Sequence, residues 1–224
     1  VAEELEAAAY DLPIVSNYKV LSYVELFQGN LRGFLEKTLA RGSRYLPRIR
    51  EVFQQEGVPL DLAYVPLIES AFKPNALSRT KARGVWQFMA GTALENGLRR
   101  DWFVDERSDP EKSTRAAAKY LKTLAQMFDG DWHLALASYN GGPGRVQRAT
   151  KVGRTADFWK LAGRARLLPR SGPPPPLSLE LAASASLQAE PRPLGSRSRR
   201  RRGTSAGESS ILGSRPHIIG IGKV

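Results

Sequence analysis

The sequence predicts an all-α fold, and three observations carry that prediction. Apolar residues recur at helical spacing in one segment after another, with no sustained period-two alternation anywhere. These segments are punctuated by residues that start and stop helices, chiefly Asp-Pro pairs and glycines. The four Trp, seven Tyr and eight Phe all fall at or before Trp159, so the core-forming material lies in the front of the chain.

Residues 3–12 are acidic and Ala-rich, and Pro13 breaks that pattern. From Ser22 the apolar positions Val24, Phe27, Leu31, Phe34, Leu35 and Leu39 read as helical, broken near Gly29 and Gly33 and ending at Gly42. Leu46, Ile49, Val52 and Phe53 form one stripe of the next helix, stopped by Gly57. Pro59 opens the apolar run Leu60–Phe72, in which Pro66 is expected to kink the helix or restart it just before Glu69. Lys73-Pro74-Asn75 and Ser78 to Gly84 have loop chemistry, and Thr92 to Leu98 reads as a short helix stopped at Gly97. Asp109-Pro110 caps a long Ala-rich helix carrying Ala116, Ala117, Tyr120, Leu121, Leu124 and Phe128 and closed by Gly130. Asp131 caps the next helix, which runs through Leu134, Leu136, Ala137 and Tyr139 into Asn140-Gly141-Gly142-Pro143-Gly144. Val146 and Ala149 begin one more short helix, and Phe158, Trp159 and Leu161 supply the last packing residues.

After Ala162 the patterning stops. Pro173 to Pro176, Ser/Ala/Leu stretches and the run Arg197-Ser198-Arg199 to Arg202 lack the apolar density that offsets ordering entropy, so residues 163–224 are expected to be a disordered, low-complexity basic tail. Its Arg, Ala, Pro, Ser and Gly richness is also what an out-of-frame reading of GC-rich DNA gives, and a frameshift- or vector-derived origin is expected. The expected organisation is a helical N-terminal extension over residues 1–44, a helical domain over 45–162 and this tail.

The formal net charge is +12, but residues 163–224 hold 11 of the 34 basic residues and three of the 22 acidic ones. The remaining body is only mildly basic, which suits an anionic polymer as partner without announcing nucleic acid. An Arg run without interleaved aromatics also lacks the stacking groups that single-stranded nucleic acid needs, so no nucleic-acid partner is expected. Cysteine is absent, which excludes disulfides and thiolate metal sites. Two histidines, His133 and His217, are too few for a His-based metal centre, and neither metal nor other cofactor is expected. His133 is expected as a partly exposed helix residue. Asp129-Gly130-Asp131 lacks the later ligands of a calcium loop and reads as a turn with a cap. No apolar run is long enough to span a bilayer, and the start at Val1, without a visible signal peptide, suggests a mature or trimmed product.

Chemistry concentrates in Ile68–Gly91. Glu69 ends an apolar run and faces a loop, where apolar walls raise a carboxyl pKa and make a general acid. Ser78 follows in the loop, then the cluster Gly84-Val85-Trp86-Gln87-Phe88-Met89, and far downstream Ala137-Ser138-Tyr139-Asn140. Taken singly, each has an ordinary structural reading. Glu69 is a helix-terminal carboxylate, Ser78 a turn residue or N-cap, Trp86, Phe88 and Met89 core residues, Tyr139 a buried ring and Asn140 a helix C-cap.

In order and spacing these pieces resemble the lytic murein transglycosylases of the soluble-lytic-transglycosylase family, which have a goose-type-lysozyme-like fold. The matching pieces are Glu69-Ser70, Ser78, Gly84-Val85-Trp86-Gln87 and Ser138-Tyr139-Asn140. Trp86, the segment around Val104-Asp105-Glu106-Arg107-Ser108-Asp109-Pro110 and the Gly-Gly-Pro-Gly turn resemble the membrane-bound lytic murein transglycosylase D subgroup in particular. Two positions depart from the pattern, Ala90 for a common Pro and Ser138 for the usual Ala; the carbohydrate-binding repeats that often follow in the subgroup are also missing.

The resemblance implies a peptidoglycan lytic transglycosylase whose partner is the glycan strand. In that reading Glu69 is catalytic, and Ser78, Gln87, Met89, Tyr139 and Asn140 bind substrate. It implies a bacterial-envelope location, periplasmic or outer-membrane associated, and a monomer. Peripheral or lipid-anchored membrane association is compatible with it, though no segment of this sequence encodes one. Ordinary glycosidases flank the scissile bond with two carboxylates. Between Glu69 and Glu95 there is no second Asp or Glu, so a single carboxylate must act first as acid and then as base. A peptidoglycan-binding module without activity is the competing expectation, motivated by the composition change after Trp159.

Overall fold

Nine α-helices and two short 3₁₀ segments make up residues 10–163, which the structure, a computed structural model, describes apart from Ile14 and Ser16. The low-complexity tail and the frameshift expectation fall on residues outside this range, as does most of the acidic Ala-rich start.

The first helix, α1 (Tyr18–Gln28), is capped by Asn17, whose Oδ1 accepts the Lys19 and Val20 amides. Gly29 ends it, and α2 (Arg32–Gly42) resumes after the break that the glycines announce. The amphipathic α3 (Leu46–Glu56) buries Ile49, Val52 and Phe53 and stops at Gly57. The run that follows is split. A 3₁₀ segment, Leu60–Tyr64, hands over to α4 (Val65–Ser70), so the restart comes at Val65 and Pro66 sits in the first turn, where its missing N–H is not needed. After the long loop come α5 (Ala90–Glu95) and a 3₁₀ turn, Glu106–Ser108. Then α6 (Pro110–Gln126) begins at Asp109, whose Oδ1 accepts the Glu111 and Lys112 amides. Asp131 caps α7 (Trp132–Gly141) in the same way, and α8 (Pro143–Gly153) and α9 (Phe158–Gly163) follow. Among the described residues, β pairing is limited to three isolated bridges, and no helix is long and apolar enough to cross a membrane.

The main core is built around Phe53, Leu62, Tyr64, Leu67, Phe72 and Trp86, with Leu121 and Leu124 of α6. Side chains of this size contribute about 1.5–3 kcal/mol each on full burial. Leu12, Phe27 and Leu35 from the first 44 residues belong to the same core. The N-terminal segment is latched reciprocally: Asp61 Oδ2 accepts the Asp11 and Leu12 amides at 2.9 and 3.1 Å, and Asp11 Oδ2 accepts the Leu60 amide at 2.7 Å. Burial pushes the Asp61 carboxyl up, and the two amide donors oppose that.

A second, smaller core joins Leu134 and Ala137 of α7 to Val146, Ala149, Phe158 and Leu161. Helix α7 therefore packs on both sides, which explains why its sequence is apolar nearly all round. Helix α9 closes the fold, with Leu161 fully buried. His133 is partly exposed, as expected, its side chain 13% exposed and stacked on Phe158 with ring centroids 6.1 Å apart. Burial lowers its imidazole pKa.

Ser138 sits where the two cores meet. Its hydroxyl is fully buried and has no hydrogen-bond partner among the described residues. A buried polar group left unpaired costs about 1–3 kcal/mol. Ser138→Ala removes that cost and keeps nearly all of the packing, so it is expected to raise stability by about 1 kcal/mol, read as a higher urea midpoint at unchanged slope.

Candidate active site

Glu69 is the penultimate residue of α4 and is partly buried. The chain reverses immediately after it through Ala71 at φ 52° and Phe72 at φ 55°, two successive left-handed residues with side chains. Such backbone costs on the order of 1–3 kcal/mol per residue and persists only where surroundings enforce it. Three contacts do so. The Phe72 ring is fully buried against Gly42, where a Cβ would lie 2.7 Å from it. Arg41 donates to the Ala71 carbonyl, and the Phe72 amide to the Pro66 carbonyl at 3.2 Å. Ser70 Oγ donates to the Val85 carbonyl at 2.7 Å, tying the end of α4 to the second motif.

That motif forms a folded loop. Bridges pair Leu77 with Arg83 and Arg83 with Phe88. Arg107, 3% exposed, donates to the Lys81 and Phe88 carbonyls at 2.9 and 3.1 Å and pairs with Asp105 at 2.7 Å. Trp86 is completely buried, its indole N–H donating to Thr114 Oγ1 at 2.9 Å. The Tyr139 hydroxyl donates to the Trp86 carbonyl at 2.7 Å, joining the third motif to the second. Burial, then the Glu69 carboxylate and Tyr120, push the Tyr139 phenol well above its ordinary value, so it stays a neutral donor.

The Asp105–Arg107 pair has a measurable pH signature. Arg107's hydrogen bonds hold the Asp105 carboxyl below its ordinary range. A depressed carboxylate pKa contributes stability that is present above the unfolded-state value, about 3.9, and is lost as pH falls through the folded value. Asp105→Asn is therefore expected to lower Tm at neutral pH, with the gap to wild type shrinking as pH drops below about 4. Paired melts from neutral to acid pH check it.

Met89, Tyr139 and Asn140 line one pocket of about 200 Å³, together with Thr80, Thr92 and Tyr120. Phe88 forms its aromatic floor, with Tyr120 and Tyr139 centroids each 6.2 Å from it and 5.6 Å from each other. Gly141 and Gly142 complete a rim. Ring faces with polar edges suit a ligand that is itself apolar on its faces and hydroxylated at its edges.

Ser78 and Gln87 are not among the side chains lining this pocket and sit in the loop beside it. Gln87 is 5% exposed, in left-handed backbone at φ 51°, and its amide donates to the Gly84 and Ala76 carbonyls at 2.9 and 3.3 Å. Ser78 Oγ accepts the Ala82 amide at 2.9 Å and lies 3.0 Å from Thr80 Oγ1, organising the turn that presents Thr80. Sequence reasoning missed Thr80, Thr92 and Tyr120 as lining residues. Tyr120 falls on the core stripe of α6, and nothing in that periodicity marks its polar edge as pocket-facing. Asn140 is not the C-cap of α7, a position that Gly142 takes, and it lines the pocket instead.

Comparison with known proteins bears on this geometry. A lytic transglycosylase Slt from Pseudomonas aeruginosa, solved as an inactive mutant, superposes with a TM-score of 0.51 at 19% identity over 86% of this chain and 41% of its own, a likeness of fold. The fold is thus the lysozyme-like one. Membrane-bound lytic murein transglycosylase D of Escherichia coli is 37% identical over 134 residues, 58% of this chain and 30% of that protein. Membrane-bound lytic murein transglycosylase F of Shewanella loihica is 34% identical over 150 residues, 62% of this chain and 29% of that protein. The chain thus spans about 30% of the length of such relatives. The transglycosylase SLT domain model matches residues 49–162, more than half of the chain and every element that carries Glu69, the folded loop and the Tyr139-Asn140 wall. This chain belongs to the transglycosylase SLT domain family.

Proposed function

We propose that the chain is a peptidoglycan lytic transglycosylase, which cleaves the β-1,4 bond between N-acetylmuramic acid and N-acetylglucosamine and leaves a 1,6-anhydromuramic acid end. The observation that carries this reading is the Glu69 carboxylate, which acts on the Tyr139 phenol beside an aromatic pocket; no second acid follows it in the sequence until Glu95, which acts on Tyr120 instead. With one carboxylate, both proton transfers fall to the same group. Glu69 gives its proton to the glycosidic oxygen as the C1–O bond breaks, and the sugar's own acetamido oxygen stabilises the positive charge at C1. The Glu69 carboxylate then takes the proton of the muramic C6 hydroxyl while O6 bonds to C1, which closes the anhydro ring and restores the acid. Ser78 and Gln87 support this site in the same reading, Ser78 through the turn that presents Thr80 and Gln87 through the loop carrying Phe88 and Met89. The catalytic unit is residues 45–162, with residues 1–44 an extension and the protein acting as a monomer. The glycan strand as substrate places it at the bacterial envelope.

Digestion of purified sacculi, with mass analysis of the released fragments, tests the reading. Fragments one water lighter than hydrolysis products are expected. Reducing-end hydrolysis products, or no release at all, would refute it.

A further inference from the structure

Glu69 stands on a helix too short to aim it. The six-residue α4 closes few internal hydrogen bonds and does not hold its shape alone, so the direction of its last turn is set by what grips it. On the N-terminal side the grip is apolar, with Val65, Pro66 and Leu67 buried. On the C-terminal side Ser70 is tied to the Val85 carbonyl, and the chain then reverses through Ala71 and Phe72. The amides of both these residues return to one acceptor, the Pro66 carbonyl, so the last turn of α4 and the reversal form one unit.

The peptide plane between Ala71 and Phe72 is the weak point of that unit. Its flanking residues have φ 52° and 55°, and residues with side chains leave such backbone when the plane is free to turn. Its N–H is held by the Pro66 carbonyl at 3.2 Å, the long end of the ordinary range. Its carbonyl is held from another element, since the Arg41 guanidinium at the end of α2 donates to it. Arg41 is partly buried, so water competes less for this bond than for an exposed one. The next residue of α2, Gly42, meets the fully buried Phe72 ring, 2.7 Å from where a Cβ would fall. Two consecutive residues of α2 thus fix two consecutive residues of the reversal. Both lie before residue 49, where the segment matched by the family model begins.

Resting on the transglycosylase reading, we propose that Arg41 is a positioning residue for Glu69. By holding the Ala71 carbonyl it stops the Ala71–Phe72 peptide from turning, and so keeps the Glu69 carboxyl where it meets first the glycosidic oxygen and then the muramic C6 hydroxyl. The segment before residue 45 is therefore a working part of the site, acting through backbone alone. One carboxyl that serves two partners in succession tolerates little drift, since a displacement of about 1 Å can cost about a hundredfold in rate.

Two substitutions in the whole chain test this. Arg41→Met removes the donor and keeps the apolar stem, whereas Arg41→Lys keeps a cationic donor that suffices for a single carbonyl. Fragment release is measured at saturating and at limiting sacculi, at a temperature where thermal melts show wild type and variants folded. Sedimentation of the same changes on a Glu69→Gln background reads binding alone. Arg41→Met is expected to lower the saturating rate by about ten- to a hundredfold, with half-saturation and sedimentation unchanged. Arg41→Lys is expected to recover most of that loss. Wild-type-like release by Arg41→Met would overturn the proposal. A loss that merely tracks the folded fraction or the amount of sacculus bound would do the same, giving Arg41 a structural or binding role only. An Arg41→Lys protein no faster than Arg41→Met would also count against it. Failure of the transglycosylase reading shows separately, as wild-type digests without anhydro ends.

Discussion

Glu69→Gln is expected to reduce release of anhydro-ended fragments by about a thousandfold or more while the fold survives. A positioned general acid or base contributes typically 10²–10⁴-fold, and in the proposed mechanism one residue supplies both transfers in succession. Glutamine keeps the shape and hydrogen-bonding reach of the carboxyl but can neither lose nor accept a proton at the required stage. Its effect on stability is expected to stay within about 0.5 kcal/mol, because Glu69 is only partly buried. Ser70, Arg41 and the Phe72 ring hold the turn that follows it. Product release from sacculi, measured beside a thermal melt, checks both halves. Wild-type-like turnover by a folded Glu69→Gln protein would remove Glu69 from the proposed mechanism.

What was legible in the sequence followed from local rules. Asp109 and Asp131 announce helix starts because a short side-chain oxygen that satisfies open amides acts within three residues, whereas the Asn17 cap, ahead of the pattern read from Ser22, appeared only in the structure. The positions of Met89, Tyr139 and Asn140 along the chain, which the fold brings to one pocket, were legible through spaced motifs. The less legible parts depend on contacts between distant segments. Gln87 illustrates this: the letter alone does not reveal that its amide fastens the Gly84 and Ala76 carbonyls from left-handed backbone. Tyr120 was visible as a core residue and invisible as a wall of the pocket, since one ring does both. Arg107 is another case. Its charge and its neighbour Asp105 suggest a surface pair, yet it is buried because it fastens a loop some twenty residues upstream.

The loop fastened by Arg107 is where the largest stability effect is expected. Gly84→Ala should cost about 3 kcal/mol or more and disable the site with it. Gly84 has φ +87°, which is already unfavourable for alanine, and the added Cβ would sit 1.7 Å from the Arg107 carbonyl oxygen and 2.7 Å from its carbon. Those atoms are backbone, so no rotamer change relieves the clash; either the loop or the Glu106–Ser108 turn must move. Neither can move alone. The Arg107 guanidinium holds Lys81, Phe88 and Asp105, while the Gly84 amide donates to Ala76 at 2.9 Å and its carbonyl accepts from Gln87. A shift therefore travels to Val85, which receives Ser70 at the end of the Glu69 helix, and to Trp86, whose carbonyl receives Tyr139. Gly33→Ala is the matching control. It lies in α2 with nothing within 4 Å of the added carbon, and it is expected to gain a few tenths of a kcal/mol from lower chain entropy at about 25 °C. Urea midpoints for the two variants, with fragment release measured on each, should diverge in opposite directions from wild type. A Gly84→Ala protein as stable as wild type would show that the Arg107 backbone yields at small cost, and that the loop bearing Trp86, Phe88 and Met89 is not held in one place by this contact.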